Sequence, residues 1–142
     1  MYKVLIAVDG SEAARRAILA AAALAKQVPG LQAILVHARD WPMLYGDLPP
    51  LEYEALDRAQ AKAQATLLEA ALGAARQAGL SDCAVEPASG QPAAEIVRIA
   101  RERDVDQIVM GTHGRGAFGN LILGSVAQRV VHLAAVPVLL VK

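Results

Sequence analysis

One cysteine, Cys83, stands alone in the chain, so no internal disulfide is available and a reducing compartment fits. An excess of charge is missing too: 14 basic and 14 acidic residues leave a net charge of zero. That balance offers no electrostatic footprint for nucleic acid or for an anionic membrane. Long hydrophobic runs are absent; the longest, Ala17 to Ala25, is rich in alanine and well short of a membrane span. Val4 to Val8 is too short for the apolar core of a secretory signal, so a cytoplasmic location is expected. Lysine is absent between Lys62 and Lys142, and no G-x-x-x-x-G-K-[ST] occurs. This excludes a P-loop, whose lysine meets the β- and γ-phosphates. The dinucleotide fingerprint is excluded as well, because Asp9-Gly10-Ser11-Glu12 follows the first apolar run where the glycines should stand. No His and Cys residues have zinc spacing.

What is present reads as one domain over residues 1–142, long enough for a proper core. Lys3 to Val8 is a continuous apolar run rich in β-branched residues, the pattern of a strand covered on both faces. Ser11 is a plausible N-cap for a helix to about Gln27, with Ala14, Ile18, Ala21 and Ala25 on one face, and Pro29-Gly30 ends it. Gln32 to Ala38 is a second strand. The segment from Trp41 to Pro50 has three prolines and no period, and reads either as a lid or as an apolar loop packed on the domain or a partner. Leu51 to Ala78 is helical, with Leu56, Ala59, Ala63, Leu67, Ala70 and Ala74 as its buried stripe and Gly79 as its stop. Cys83 to Pro87 makes a short strand, Pro92 opens a helix to about Glu102, Asp106 to Met110 is a fourth strand, and Val136 to Val141 a fifth. Strands alternating with helices predict an all-parallel, three-layer α/β domain.

The stretch from Gln107 to Arg129 carries the chemistry. A strand breaks into a loop holding Gly111, Gly114, Gly116 and Gly119, then reaches Gly124-Ser125 and a helical pattern. A glycine loop feeding a helix N-terminus is a recipe for an anion site, because loop amides and unsatisfied first-turn N–H groups face the ligand. Ser125 to Gln128 has the S-x-x-Q form of a capping box, with Ser125 as the expected N-cap. Arg115 is the nearest cation and His113 a second candidate donor. A tight connection with an ordinary cap is the plainer alternative. Asp9, the turn from His37 to Asp40 and the glycine loop all follow strand ends, so they share one edge of the sheet. If the first and fourth strands are neighbours, Asp9 and the loop flank the crevice at the switch point.

Gly111-x2-Gly114-x9-Gly124-Ser125 resembles the nucleotide-binding signature of the universal stress protein family, in its ATP-binding branch. The N-terminal VLIAVDGSEAARRAILAAAALA, the strand end VHA and the closing PVLLVK resemble that family too, over essentially the whole chain. The resemblance implies a Rossmann-like open five-stranded parallel sheet of order 3-2-1-4-5, of the adenine nucleotide alpha hydrolase-like kind. It implies ATP or AMP in the crevice, often with Mg2+ or Mn2+, a homodimer through the last strand, Val136 to Val141, and a role in stress or energy-state signalling. Carried over by position, Gly114, Gly124 and Ser125 meet phosphates, with Arg115 helping. Asp9 approaches the ribose or a phosphate-bound metal. The backbone around Ala38 reads the adenine edge, and Val8 and Val36 form apolar walls. Met110, Gly111, His113, Gly116 and Val126 complete the binding set.

A nucleotide site is not a catalyst. Phosphoryl transfer needs charge stabilisation at the γ-phosphate and a positioned nucleophile. Asp9 through a metal, the loop amides, Arg115 and His113 are the candidates, with no lysine, second acidic ligand or clear base beside them. The expectation is a binding and signalling protein with at most weak ATP hydrolysis. A true ATPase or phosphotransferase, or an interaction module with a vestigial site, are the alternatives.

Overall fold

The computed structural model describes residues 1–40, 49–113 and 123–142. Nine elements follow one another: β1 (Lys3–Ala7), α1 (Glu12–Gln27), β2 (Gln32–Arg39), α2 (Pro50–Ala78), β3 (Cys83–Ser89), α3 (Pro92–Glu102), β4 (Gln107–Gly111), α4 (Ser125–Leu133) and β5 (Val138–Val141). All strands pair in parallel, in the order β3-β2-β1-β4-β5. The expected three-layer α/β architecture and its strand order are therefore what the chain adopts. β1 pairs with β2 on one side and β4 on the other, so the chain direction across the sheet reverses between β1 and β4. That is the switch point, where adjacent strand ends leave a crevice.

Alternation along the strands builds two cores. Val4, Ile6 and Val8 point with Ala33, Leu35 and Val109 toward α1 and α2. Leu5, Val36, Ile108 and Met110 point the other way, toward α3 and α4. Side chains two residues apart share a sheet face, and here both faces are apolar because both are covered.

α1 starts where its cap predicts: Ser11 is in extended backbone and its hydroxyl accepts from the Ala14 amide at 3.1 Å. α2 ends on Gly79, whose φ of 108° is left-handed and suits glycine. The α2 stripe needs correction. Gln64, Leu68 and Ala75 are its buried residues, while Leu56, Ala59, Ala63 and Ala70 are exposed. In an alanine-rich helix few large side chains settle the phase, and the polar Gln64 joins Leu68 and Ala75 on the inner face because strand carbonyls accept from it. β5 begins at Val138, two residues later than expected; Pro137 lacks an N–H but its carbonyl still accepts from Ile108 at 3.0 Å. β3 and β5 are the two sheet edges. No helix among the described residues is long and apolar enough to cross a membrane.

Candidate functional site

The C-terminal ends of β1, β2 and β4 open on a cleft of ≈ 330 Å³, within the range of about 300–1,000 Å³ usual for small-ligand sites. β1 brings Ala7, Val8 and Asp9 to it, and β2 brings Val36, His37 and Ala38. Met110, Gly111, Thr112 and His113 continue from β4, and Gly124, Ser125 and Val126 enter from the start of α4. Every sequence-predicted site residue that is described thus lines this one cleft. Gly114, Arg115 and Gly116 lie outside the described residues, as does the segment 41–48 of the candidate lid.

Each wall has a local cause. Gly10, with φ of 80°, turns the chain so that Asp9 Oδ1 accepts from the Ser11 amide at 2.9 Å. Asp9 is thereby held over the first turn of α1. The Val8 amide donates to Val36 carbonyl at 2.8 Å, which keeps the β1 and β2 ends level past the last strand residue of β1. Thr112 is a junction: its amide donates to Val141 of β5, its carbonyl accepts from the Gly124 amide at 2.6 Å, and its hydroxyl lies 3.1 Å from His113 Nδ1.

The capping box expected at Ser125 is not how α4 begins. Gly124 is the N-cap, extended at φ −70° and ψ 162°, and Ser125 is the first helical residue, with no side-chain cap bond to the helix. Gly124 takes the cap because its amide is tied to Thr112, which fixes where the chain must be extended. The first-turn amides of α4 therefore have no intrahelical acceptor and no capping side chain among the described residues. A second feature sets this helix apart. α1, α2 and α3 each carry a glutamate in the first turn, Glu12, Glu52 and Glu95, whereas α4 carries no acidic residue there. No acid of its own first turn offsets the positive end of the α4 dipole at the cleft.

Gly111 has a different reason to be glycine than the one read from the loop. A Cβ on it would stand 2.6 Å from Ala13 Cβ and 3.0 Å from the Ala13 carbonyl carbon. It lets the first turn of α1 pack against the end of β4. The cleft wall also includes Ser11, Ala14, Pro92 and Ile96, which sequence reasoning left out. Pro92 was the available signal, since it opens a helix directly after β3 and so must lie on the same sheet edge.

The titratable groups on the wall, among the described residues, are Asp9, His37 and His113, and no described lysine or arginine lines it. Arg39, at the end of β2, is engaged by Asp57 of α2 at 3.0 Å. No described cluster of three His, Cys, Asp or Glu side chains could hold a metal alone. A cation at Asp9 would have to share its coordination with a ligand's own oxygens. Cys83 stands away from the cleft, and burial pushes its thiol up to about 11, so it is not a ready nucleophile.

An open parallel sheet with a crevice at its switch point, and a helix N-terminus at that crevice, defines a doubly wound α/β protein. The universal stress protein family model matches residues 1–142, and the chain belongs to that family. It is 40% identical over 146 aligned positions, spanning 100% of both chains, to the Thermus aquaticus "Universal stress protein in QAH/OAS sulfhydrylase 3'region". Among solved structures, it resembles the universal stress protein of Archaeoglobus fulgidus in complex with dAMP, with a TM-score of 0.67 and 28% identity over 100% of this chain and 98% of that one. It also resembles a universal stress protein in complex with cAMP, with a TM-score of 0.71 and 25% identity over 99% of this chain and 96% of the other.

Proposed function

We propose that this chain binds an adenine nucleotide, ATP or AMP, in the cleft and serves as a nucleotide-responsive regulatory protein in stress signalling. The observation that carries the reading is the first turn of α4, which has no acidic residue and lines the cleft from Gly124 to Ala127. A phosphate there would satisfy the amides of that turn and compensate the dipole. The ligands of the two similar structures, cAMP and dAMP, share adenine, a pentose and one phosphate, which is the common part the cleft would need to hold. Adenine would lie between Val8 and Val36 with its edge at the Ala38 backbone. Asp9 would meet the ribose, or Mg2+ or Mn2+ on a longer phosphate chain. With one carboxylate on the described wall and no described lysine or arginine there, a triphosphate would gain from a metal more than a monophosphate would.

Calorimetric titration of nucleotide-free protein with AMP and ATP, with and without Mg2+, tests this. Binding of AMP without metal, ATP binding strengthened by Mg2+, and no ADP formed over hours is the expected result. Rapid ADP release would convert the reading to an ATPase, and no binding of either nucleotide would remove it.

The homodimer belongs to the same proposal. β5 is a sheet edge, and Leu139 on it is 37% exposed, with Val131 and Leu133 exposed on the adjoining α4. An apolar edge strand needs a cover, and a second β5 related by a two-fold axis supplies one. Leu139→Lys is expected to shift sedimentation from dimer to monomer while circular dichroism stays unchanged. A dimer of undiminished strength in that variant would place the contact elsewhere.

A further inference from the structure

Two polar side chains are buried among the described residues: Thr112, on the cleft wall, and Gln64, on α2. Gln64 is 6% exposed and stands behind the cleft wall, in contact with His37, which lines it. Its Nε2 donates to the carbonyl of His37 at 2.8 Å and to that of Ala88 at 2.8 Å, and lies 3.1 Å from His37 Nδ1. Those carbonyls belong to neighbouring strand ends, where His37 and Ala38 of β2 run level with Pro87 and Ala88 of β3. One carboxamide thus spans the outer half of the sheet at the edge where the cleft opens.

The chemistry of the contact is restrictive. An amide nitrogen has two hydrogens and no acceptor role, so each of its three neighbours must present a lone pair. With both hydrogens directed at carbonyls 2.8 Å away, His37 Nδ1 at 3.1 Å can join the contact only by accepting a share of one of them. His37 Nδ1 therefore carries no proton toward Gln64, and a neutral ring keeps its proton on Nε2. The carboxamide sets the height of the β2 end and the tautomer of a histidine on the cleft wall at once.

We propose that Gln64 is a positioning residue of the nucleotide cleft, holding His37 as the Nε2–H tautomer and the His37-Ala38 backbone in the place the adenine edge requires. The claim about affinity rests on the nucleotide reading; the claim about the tautomer does not. Methionine at position 64 keeps the bulk and removes the donors, leaving two buried carbonyls without that partner. AMP affinity should then fall about tenfold, the size of one buried hydrogen bond.

The first measurement uses the nucleotide-free wild-type protein, labelled with ¹⁵N-histidine and assigned with a His37→Gln variant. Long-range ¹H–¹⁵N correlation should show His37 as Nε2–H, and an Nδ1–H ring would overturn the proposal without any need for the variant to fold. The second repeats the spectrum and an AMP titration on Gln64→Met. A mixed tautomer population with weakened AMP binding is expected. An unchanged tautomer and unchanged affinity in a folded Gln64→Met protein would refute the positioning role. If wild-type protein itself ignores AMP, the nucleotide reading fails, and the tautomer comparison still decides what Gln64 does.

Discussion

Gly111→Val should cost about 3 kcal/mol of folding stability, and Gly111→Ala about 2 kcal/mol, as overpacking of a closed contact does. The new Cβ would meet Ala13 Cβ at 2.6 Å and the Ala13 carbonyl carbon at 3.0 Å, and the second of these is backbone. No rotamer change relieves it. α1 itself must shift from β4, taking with it the Ser11 amide that holds Asp9 and the Ala14 side of the cleft. Gly73→Ala is the matching control. It lies inside α2, a Cβ there meets nothing within 4 Å, and alanine is the better helix former. That variant should gain about 0.5–1 kcal/mol. Urea unfolding followed by circular dichroism measures both, and a Gly111→Ala protein as stable as wild type would show that α1 does not press on β4 as described.

Gly111 also shows where a sequence stops being legible. It sits in a run with Gly114, Gly116 and Gly119, and a glycine that admits a helix looks the same in a sequence as one that admits a phosphate. The parallel three-layer architecture was legible because apolar runs, helix caps at Ser11 and Gly79, and alternating strands and helices all agree, while the strand order came from the family resemblance. The edge that carries the cleft was legible because Asp9, the His37 to Asp40 turn and the glycine loop all follow strand ends, and their meeting then depends on β1 and β4 being neighbours, as they are. The inner face of α2 was not. Its alanines give many equivalent phases, and Gln64, polar and left out of the buried stripe, is buried by partners on β2 and β3 that no local pattern reveals. Ser125 failed for a similar reason: the S-x-x-Q spacing is present, but the hydrogen bond from Gly124 to Thr112 moves the cap one residue earlier.

Ser125→Asp should separate binding from stability by moving them in opposite directions. The side chain is exposed at the first helical position of α4, where no acid now compensates the dipole. A carboxylate there stabilises the helix by about 0.3–1 kcal/mol in the nucleotide-free protein. The same carboxylate sits among the amides proposed for the phosphate, and two like charges about 4 Å apart repel by about 4 kcal/mol at an effective dielectric of 20. Part of that is relieved by side-chain rotation, which leaves a loss of AMP affinity of about 100-fold. Ser125→Ala removes only the hydroxyl and keeps the amides and the dipole, so it should weaken AMP a few-fold at most. Thermal unfolding and calorimetry on the three proteins read both quantities. Lower affinity with a raised midpoint in Ser125→Asp is the signature of an anion held by the helix end. Wild-type AMP affinity in that variant would move the phosphate away from α4, and with it the reason this helix alone begins without an acid.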